Sequence, residues 1–209
     1  MFKRELERIL NTIPPHPKPK SHLEQYPTPS TLASTLLWLA EHHYGDVSGK
    51  LVLDLGAGTG RLGLGAALLG ASQVILLDID SDALRSAWSW AKDNEVDLHV
   101  DLLVGDVNSL PLRENLSFDT VLQNPPFGVH RRGYDLLFVR TALERAKVVY
   151  SIHKESASKY VIEVVNRLGF TAETLFKDRI CIPWMFEWHR KKRHCFGVVV
   201  LRFTRVCIR

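Results

Sequence analysis

The sequence has few cysteines and no long apolar segment, and both shortages exclude classes of protein. Its only cysteines are Cys181, Cys195 and Cys207, an odd number without close spacing. This pattern argues against a disulfide framework and against a zinc site, so we expect reduced, partly buried thiols and no bound metal. No apolar run approaches the ~20 residues of a membrane helix, so we also expect no membrane partner.

A secretory signal is missing as well, because the segment from Met1 to Arg8 is too charged for an apolar signal core. We therefore expect a cytoplasmic protein. The hydrophobic content of 45% and charged content of 24% are typical of a soluble globular chain. We expect one domain over residues 1–209, with a short amphipathic helix and a proline-rich linker in residues 1–30.

From residue 50 onward, short apolar segments alternate with helical ones. This alternation predicts an open, doubly wound α/β sheet with helices on both faces. The last two segments follow each other without a long helix, which favours an antiparallel hairpin at the sheet edge. We predict seven strands, at residues 51–55, 74–77, 98–104, 118–122, 148–152, 171–176 and 196–204.

The first predicted strand runs into a glycine-rich turn, Gly56-Ala57-Gly58-Thr59-Gly60. Glycine lets the backbone turn sharply and approach a ligand closely. The spacing is G-x-G-x-G and not the dinucleotide pattern G-x-G-x-x-G. Asp54 lies two residues before the first glycine, where it would repel a pyrophosphate and attract an ammonium group.

Acidic residues also end the next two strands. Asp78 is placed to accept the ribose hydroxyls of an adenosine, and Asp106, with the apolar Val107, is placed to hold its adenine. An aspartate at a strand end is also a common helix N-cap. We expect Asp80 to cap the next helix and Asp78 to stay free for the ligand. Three acids at successive strand ends indicate S-adenosyl-L-methionine and not NAD as the cofactor.

The fourth predicted strand stops at Asn124-Pro125-Pro126-Phe127, because two prolines lack the N–H donors that a ladder needs. The stiff turn that follows carries one amide side chain and one aromatic ring. An amide offers both an acceptor and a donor, and the ring offers a stacking face. The pattern suits the capture of a planar group that bears an amino nitrogen.

These residues resemble the class I methyltransferases that modify exocyclic or amide nitrogens. Other segments are similar to the methyltransferase-like family that makes N6-methyladenosine in small-subunit ribosomal RNA. The resemblance covers roughly residues 3–205, and its discriminating segments are Leu23-Glu24-Gln25-Tyr26-Pro27-Thr28, Asp135 with Thr141-Ala142-Leu143-Glu144, and Val149-Tyr150-Ser151-Ile152-His153-Lys154. It implies a Rossmann-like class I methyltransferase fold.

The resemblance also assigns roles. Gln25 and Thr28 would close over the methionine part of the cofactor, while Gly56, Thr59 and Arg61 would line its amino-acid pocket. Eukaryotic members work with a small zinc-binding activator protein that adds a strand to the sheet edge. This chain departs from those members at Ala57 and Thr59, where they tend to have cysteine, and in a more basic segment at residues 189–193.

For catalysis we expect the Asn124 side-chain oxygen and the Pro125 carbonyl oxygen to accept hydrogen bonds from the two N–H groups of an adenine amino group. Phe127 would stack on the flipped base. Tyr26 could hold the other side of the base, or serve equally well as a core or lid residue. The catalytic set is therefore Asn124, Pro125, Pro126 and Phe127.

Two basic elements suggest a nucleic-acid partner, with a solvated loop as the simpler alternative for each. They are Arg131-Arg132 after the proline turn and Arg190-Lys191-Lys192-Arg193 near the C-terminus. His153 and Lys154 could contact RNA, while His153 could equally cap a helix. We expect an adenine-N6 methyltransferase acting on ribosomal RNA. The alternatives are a glutamine-N5 methyltransferase, which would normally carry tyrosine at position 127 and a separate N-terminal helical domain, and a non-catalytic RNA- or cofactor-binding module.

Overall fold

The computed structural model describes residues 1–127, 133–183 and 193–206 and contains a seven-stranded sheet. The strand order is β3-β2-β1-β4-β5-β7-β6, with the first five strands parallel and β7 antiparallel to both of its neighbours. This confirms the predicted fold class. The strands are β1 Leu51–Leu55, β2 Gln73–Asp78, β3 Val100–Val104, β4 Phe118–Gln123, β5 Ala146–Lys154, β6 Phe170–Pro183 and β7 Arg193–Arg205.

The described residues form six α-helices, which cover the two faces of the sheet. One face packs against α1 to α4, and the other packs against α5 and α6. A central parallel strand is therefore apolar on both sides, as in β1, where Val52, Leu53 and Leu55 are all fully buried. The helices are α1 Lys3–Leu10, α2 Ser30–His42, α3 Arg61–Leu68, α4 Ser81–Asp93, α5 Tyr134–Arg145 and α6 Ser158–Arg167.

The short N-terminal helix α1 joins this core, because Leu6 and Leu10 lie one turn apart on one side and are both buried. The proline-rich stretch that follows brings the chain back across the sheet ends. In the described part of the chain, no helix combines the length and the apolar character needed to span a membrane.

The C-terminal hairpin is longer than predicted. Strands β6 and β7 pair from Phe170 with Arg205 out to Pro183 with Arg193. Our expectation of reduced thiols is wrong for two of the cysteines: Cys181 and Cys195 face each other in this ladder and form a disulfide, with their Cα atoms 4.1 Å apart. They are far apart in the sequence, and only the antiparallel register brings them together. Cys207 lies outside the described residues.

Candidate cofactor and substrate site

The carboxyl ends of four parallel strands meet at one edge of the sheet and form an open cleft of about 800 Å³. The strands β1 and β4 are parallel neighbours, but the chain that leaves β1 continues into α3 on one face and the chain that leaves β4 continues into α5 on the other. This makes the edge the switch point where ligands bind in open α/β sheets. The predicted residues that line the cleft are Gln25, Gly56, Gly58, Asp78, Asp106, Val107, Asn124 and Pro126.

A smaller cavity of about 400 Å³ adjoins this cleft, and Gly56, Gly58 and Asn124 line both. Its other predicted residues are Thr28, Asp54, Thr59 and Arg61, and Tyr26 lines it as well. The sequence-predicted cofactor residues are therefore divided between two connected spaces. The larger combines apolar walls with the acids Asp78 and Asp106, as an adenosine needs, and the smaller carries Asp54 and Arg61.

The glycine turn after β1 has the geometry that glycine permits. Gly56 and Gly58 have φ angles of 74° and 56°, in the left-handed region that other residues rarely adopt. The Gly58 N–H donates to Asp78 Oδ2 at 2.7 Å, which ties the turn to the end of β2. This hydrogen bond brings two predicted cofactor residues together directly.

Asp54 lies beneath the turn and is almost completely buried. Its Oδ2 accepts a hydrogen bond of 2.7 Å from the Gly63 N–H at the start of α3. Burial raises the pKa of Asp54 to about 7, because desolvation outweighs the stabilisation from that N–H and the nearby Asp78 charge adds to the rise. The group is thus poised to change charge near neutral pH.

Asp78 and Asp80 divide their roles only partly as expected. Asp80 caps α4 by accepting from the Asp82 N–H, which confirms its predicted role. Asp78 is not free, because its two oxygens accept from the Asp80 and Gly58 N–H groups at 2.8 and 2.7 Å. Each oxygen keeps a second lone pair, so ribose hydroxyls can still bind to it.

The N-terminal segment is held over the cleft by Asp80. Its Oδ2 contacts Gln25 Nε2, Lys20 Nζ and His16 Nε2 at 3.0, 2.9 and 3.2 Å. Burial alone would raise the pKa of Asp80, but these donors, with Lys20 first among them, hold it well below its usual value. Gln25 therefore lines the cleft through a link to Asp80 that the sequence did not suggest.

Arg61 fixes the same segment from the other side. Its guanidinium donates to the backbone carbonyls of Thr28 and Ile13 at 2.6 and 2.9 Å. The Nε of Arg61 is buried and has no hydrogen-bond partner among the described residues. Arg61 thus combines a structural role with one donor that remains available in the smaller cavity.

Asn124 lies where the two cavities meet. Its Nδ2 donates to the Thr28 hydroxyl at 3.0 Å, which fixes the orientation of the amide. Within the described chain no donor reaches its Oδ1, although that atom is buried. A buried acceptor without a partner costs free energy, so its presence here points to a donor that the ligand brings.

The aromatic side chains next to Asn124 pack on each other. Tyr26 stacks on Phe127 with a centroid distance of 5.3 Å, and Phe196 contacts the Phe127 ring edge-on at 5.0 Å. A base inserted between two rings needs a separation of roughly 7 Å, or two contact distances. The expected arrangement of a base between Tyr26 and Phe127 therefore requires these two rings to separate.

Two charged residues hold this aromatic group. Glu24 accepts from the Phe127 N–H at 2.7 Å, and Glu24 itself has a φ of 52°. Lys154 Nζ lies 5.4 Å from the Phe127 centroid and 5.3 Å from that of Phe196, within cation–π range. Lys154 thus lies beside the predicted base-binding ring, and its contact with RNA stays a prediction.

Both predicted roles of His153 are wrong. Its side chain is almost fully buried inside β5, which extends to Lys154, so it neither faces solvent nor caps a helix. His153 Nε2 shares a 2.6 Å hydrogen bond with Ser151 Oγ, which accepts in turn from Gln123 Nε2. Burial lowers the pKa of His153 to about 3, so the ring is neutral at physiological pH.

The predicted RNA-contacting residues fall almost entirely outside the described chain. These are Arg131, Arg132, Arg190, Lys191 and Lys192. Arg193 is the first residue of β7, and its side chain is not described. Their role stays a prediction.

Comparison with known proteins identifies the family. A methyltransferase domain family matches residues 46–175. The zebrafish protein rRNA N(6)-adenosine-methyltransferase METTL5 is 36% identical over 98% of this chain and 99% of its own. The chain belongs to the METTL5 family of methyltransferases. An uncharacterised protein of Methanocaldococcus jannaschii is 34% identical over 98% of this chain and 94% of its own.

A solved structure extends the match to the whole fold. A Pyrococcus horikoshii protein described as a candidate RNA methyltransferase superposes on this methyltransferase with a TM-score of 0.89 and 38% identity, covering 99% of both chains. S-adenosyl-L-methionine is the cofactor. The site fits it, because acids line the adenosine-sized cleft, and because Tyr26 and Arg61 in the adjoining cavity each carry a buried donor without a partner among the described residues.

Several residues of the site were not predicted. Tyr134 and Phe138 of α5 line the cleft, and the Tyr134 hydroxyl lies 3.3 Å from Asp106 Oδ1. Gly56 also depends on Phe138, because a Cβ at Gly56 would lie 2.7 Å from its ring. The helical pattern of α5 marks these aromatics only as core residues, so the sequence carried no signal for this role.

Proposed function

We propose that this protein transfers a methyl group from S-adenosyl-L-methionine to the exocyclic N6 of an adenosine in ribosomal RNA, within one methyltransferase domain over residues 1–209. The observation that supports this most directly is the buried Asn124 Oδ1, an acceptor at the junction of the two cavities to which no described residue donates. The zebrafish relative is named as an rRNA adenosine-N6 methyltransferase. Nothing in the comparisons favours the glutamine-N5 or non-catalytic alternatives.

In this mechanism Asp78 binds the ribose and Asp106 with Val107 binds the adenine of the cofactor, while Asp54 binds its ammonium group. Gln25, Thr28, Gly56, Gly58, Thr59 and Arg61 complete the enclosure. When bound, S-adenosyl-L-methionine supplies an electrophilic methyl group on a sulfonium centre. The remaining chemistry belongs to the residues of the chain.

Asn124 Oδ1 and the Pro125 carbonyl oxygen each accept a hydrogen bond from one N–H of the target amino group. These two acceptors draw the nitrogen toward a tetrahedral geometry, so that its lone pair is no longer delocalised into the ring. An amide is a poor base, so the surplus proton leaves to water. Pro126 keeps the turn rigid and Phe127 stacks on the base, so the residues act mainly by positioning.

The test is nucleoside mass spectrometry on ribosomal RNA incubated with the pure protein and a methyl-labelled cofactor. We expect label in N6-methyladenosine and, after nuclease mapping, at a position in the small-subunit RNA. Label in protein glutamine, or in another nucleoside, would overturn the proposal. Label in large-subunit RNA would overturn only the assignment to the small subunit.

We propose that Arg131, Arg132 and the stretch Arg190-Lys191-Lys192-Arg193 bind RNA phosphates. Binding to phosphates is salt-dependent, and on single-stranded RNA each neutralised phosphate adds ~0.7 to the slope of log affinity against log salt. Replacing the four residues at 190–193 by serine should therefore lower the magnitude of this slope by about 2–3.

The matched control replaces four exposed basic residues on the helices, namely Arg85, Lys92, Lys159 and Arg167. This control should leave the salt slope close to that of the wild type. Equal slopes for the wild type and the 190–193 variant would return that segment to a solvated loop.

We also propose that a small zinc-binding activator protein adds a strand to β3. Both β3 and β6 are outer strands, but β6 carries charged residues that discourage pairing. The β3 edge instead exposes Val104 by 55%, and Leu98, two residues before the strand begins, is exposed by 84%. Turnover measured with and without such a protein tests this, and a Leu98→Lys, Val104→Lys variant should lose any stimulation.

We also propose that the enzyme works in the cytoplasm. The bridge between Cys181 and Cys195 bears on this location, because disulfides are rare in cytosolic proteins other than those of hyperthermophiles. Thiol alkylation of the protein in cell lysate before reduction tests the state of the bridge. Fractionation of the same cells tests the location.

A further inference from the structure

Three of the four buried polar atoms that lack partners in the described chain belong to residues lining the smaller cavity. They are the Tyr26 hydroxyl, Arg61 Nε and Asn124 Oδ1. The first two can donate hydrogen bonds and lie on the side of the cavity formed by the N-terminal segment and α3. Buried donors gathered in this way indicate an anionic ligand group.

Tyr26 differs from Arg61 and Asn124 because it contributes both to the smaller cavity and to the aromatic group around Phe127. Its ring stacks on Phe127, while its hydroxyl is buried. Burial, together with the Glu24 charge, raises the pKa of Tyr26 well above its usual value, so the hydroxyl keeps its proton. A protonated hydroxyl can donate to a carboxylate, whereas a phenolate would repel it.

We propose that Tyr26 couples the cofactor to the base-binding ring of Phe127. Its hydroxyl, together with Arg61 Nε, binds the carboxylate of the cofactor's methionine part. Its ring sets the width of the base slot, the space between the Tyr26 and Phe127 rings. This inference rests on the proposed placement of the cofactor. The two rings are stacked at 5.3 Å, which is too close for a base between them. A carboxylate partner fixes the hydroxyl and so determines where the ring lies when the base arrives.

The experiment compares two ligands on two proteins by calorimetry. S-adenosyl-L-methionine carries the carboxylate, and its decarboxylated form lacks it. Tyr26→Phe keeps the ring and removes only the hydroxyl. We expect Tyr26→Phe to bind S-adenosyl-L-methionine about tenfold or more weakly than wild type, because a hydrogen bond to a charged group is removed, and to bind the decarboxylated form equally well.

The melting temperature without ligand is a second readout, and here Tyr26→Phe is not expected to weaken the protein. Without ligand, Tyr26→Phe removes a buried hydroxyl that has no partner in the described part of the chain, so we expect its melting temperature to be at least as high as that of the wild type. A merely structural hydroxyl would lower the melting temperature and weaken both ligands alike. That result, or unchanged binding of both ligands, would overturn the assignment of the carboxylate to Tyr26.

The coupling has its own measurement. In the wild type we expect S-adenosylhomocysteine, which retains the carboxylate, to change the affinity for an RNA substrate severalfold, and in Tyr26→Phe we expect that change to vanish. Equal coupling in both proteins would overturn the link to the base slot. Asp78→Ala tests the placement of the cofactor independently of Tyr26. It should lower the affinity for S-adenosyl-L-methionine and for its decarboxylated form equally. If neither affinity falls, the proposed placement of the cofactor is wrong.

Discussion

Replacing Asn124 by alanine is expected to reduce methyl transfer by about 10³-fold, the scale seen when one preorganised polar group that acts on a reacting atom is removed. The Asn124 Oδ1 is buried, and none of the residues in the described ranges donates to it, so its hydrogen-bonding capacity is left for the ligand. The Asn124 Nδ2 donates to the Thr28 hydroxyl, and this hydrogen bond keeps the amide from flipping and putting Nδ2 where Oδ1 lies. Single-turnover methylation of RNA measures this effect.

Cofactor affinity should change little in Asn124→Ala, because the predicted cofactor contacts come from other residues. Asn124→Asp retains an acceptor and should keep more activity than the alanine variant. Asn166→Ala in α6, an exposed asparagine far along the chain from this turn, serves as the matched control and should behave as wild type. Wild-type turnover in Asn124→Ala would refute the role of this side chain in transfer.

Cofactor affinity is expected to depend steeply on pH through Asp54. Its pKa is raised to about 7 by burial, so below pH 7 the group is mainly protonated and neutral. Binding an ammonium group favours the ionised form, and each unit of pH below 7 therefore costs about tenfold in affinity. Affinity should rise from pH 5 to 7, and it should fall again above about pH 8, where the amino group of the ligand loses its charge.

Calorimetry across pH 5 to 9 measures this curve. In Asp54→Asn the rise between pH 5 and 7 should disappear, while the hydrogen bond from the Gly63 N–H is retained by the amide oxygen. 5′-Methylthioadenosine, which lacks the amino-acid part, is the matched ligand and should bind with no such dependence. A flat curve for S-adenosyl-L-methionine on the wild type would contradict contact between Asp54 and the ammonium group.

Local sequence patterns predicted the elements of the fold well. Apolar runs marked the parallel strands, and the two prolines after Asn124 marked where β4 ends. Asp54, Asp78 and Asp106 could be placed together without a structure, because parallel strands bring their carboxyl ends to one edge of a sheet. The capping role of Asp80 also followed from its position before a helix.

Contacts between distant segments were not predictable in the same way. The pairing of β6 with β7 brings Cys181 next to Cys195, and the spacing of the cysteines in the sequence does not predict that register. The prediction for His153 failed because β5 continues two residues beyond the predicted end of the strand. Its side chain then points with Ser151 toward the interior and not into solvent.

The order of strands and helices, the three acids at the strand ends and the rigid amide turn can all be inferred from the sequence, because each depends on neighbouring residues. The way the N-terminal segment closes the site is visible only in the folded chain. Folding brings Asp80 to Lys20 and Gln25, Glu24 to the Phe127 N–H, and the Tyr26 ring onto Phe127. These contacts join residues far apart along the chain, and their geometry follows from packing across the sheet edge and not from local preference.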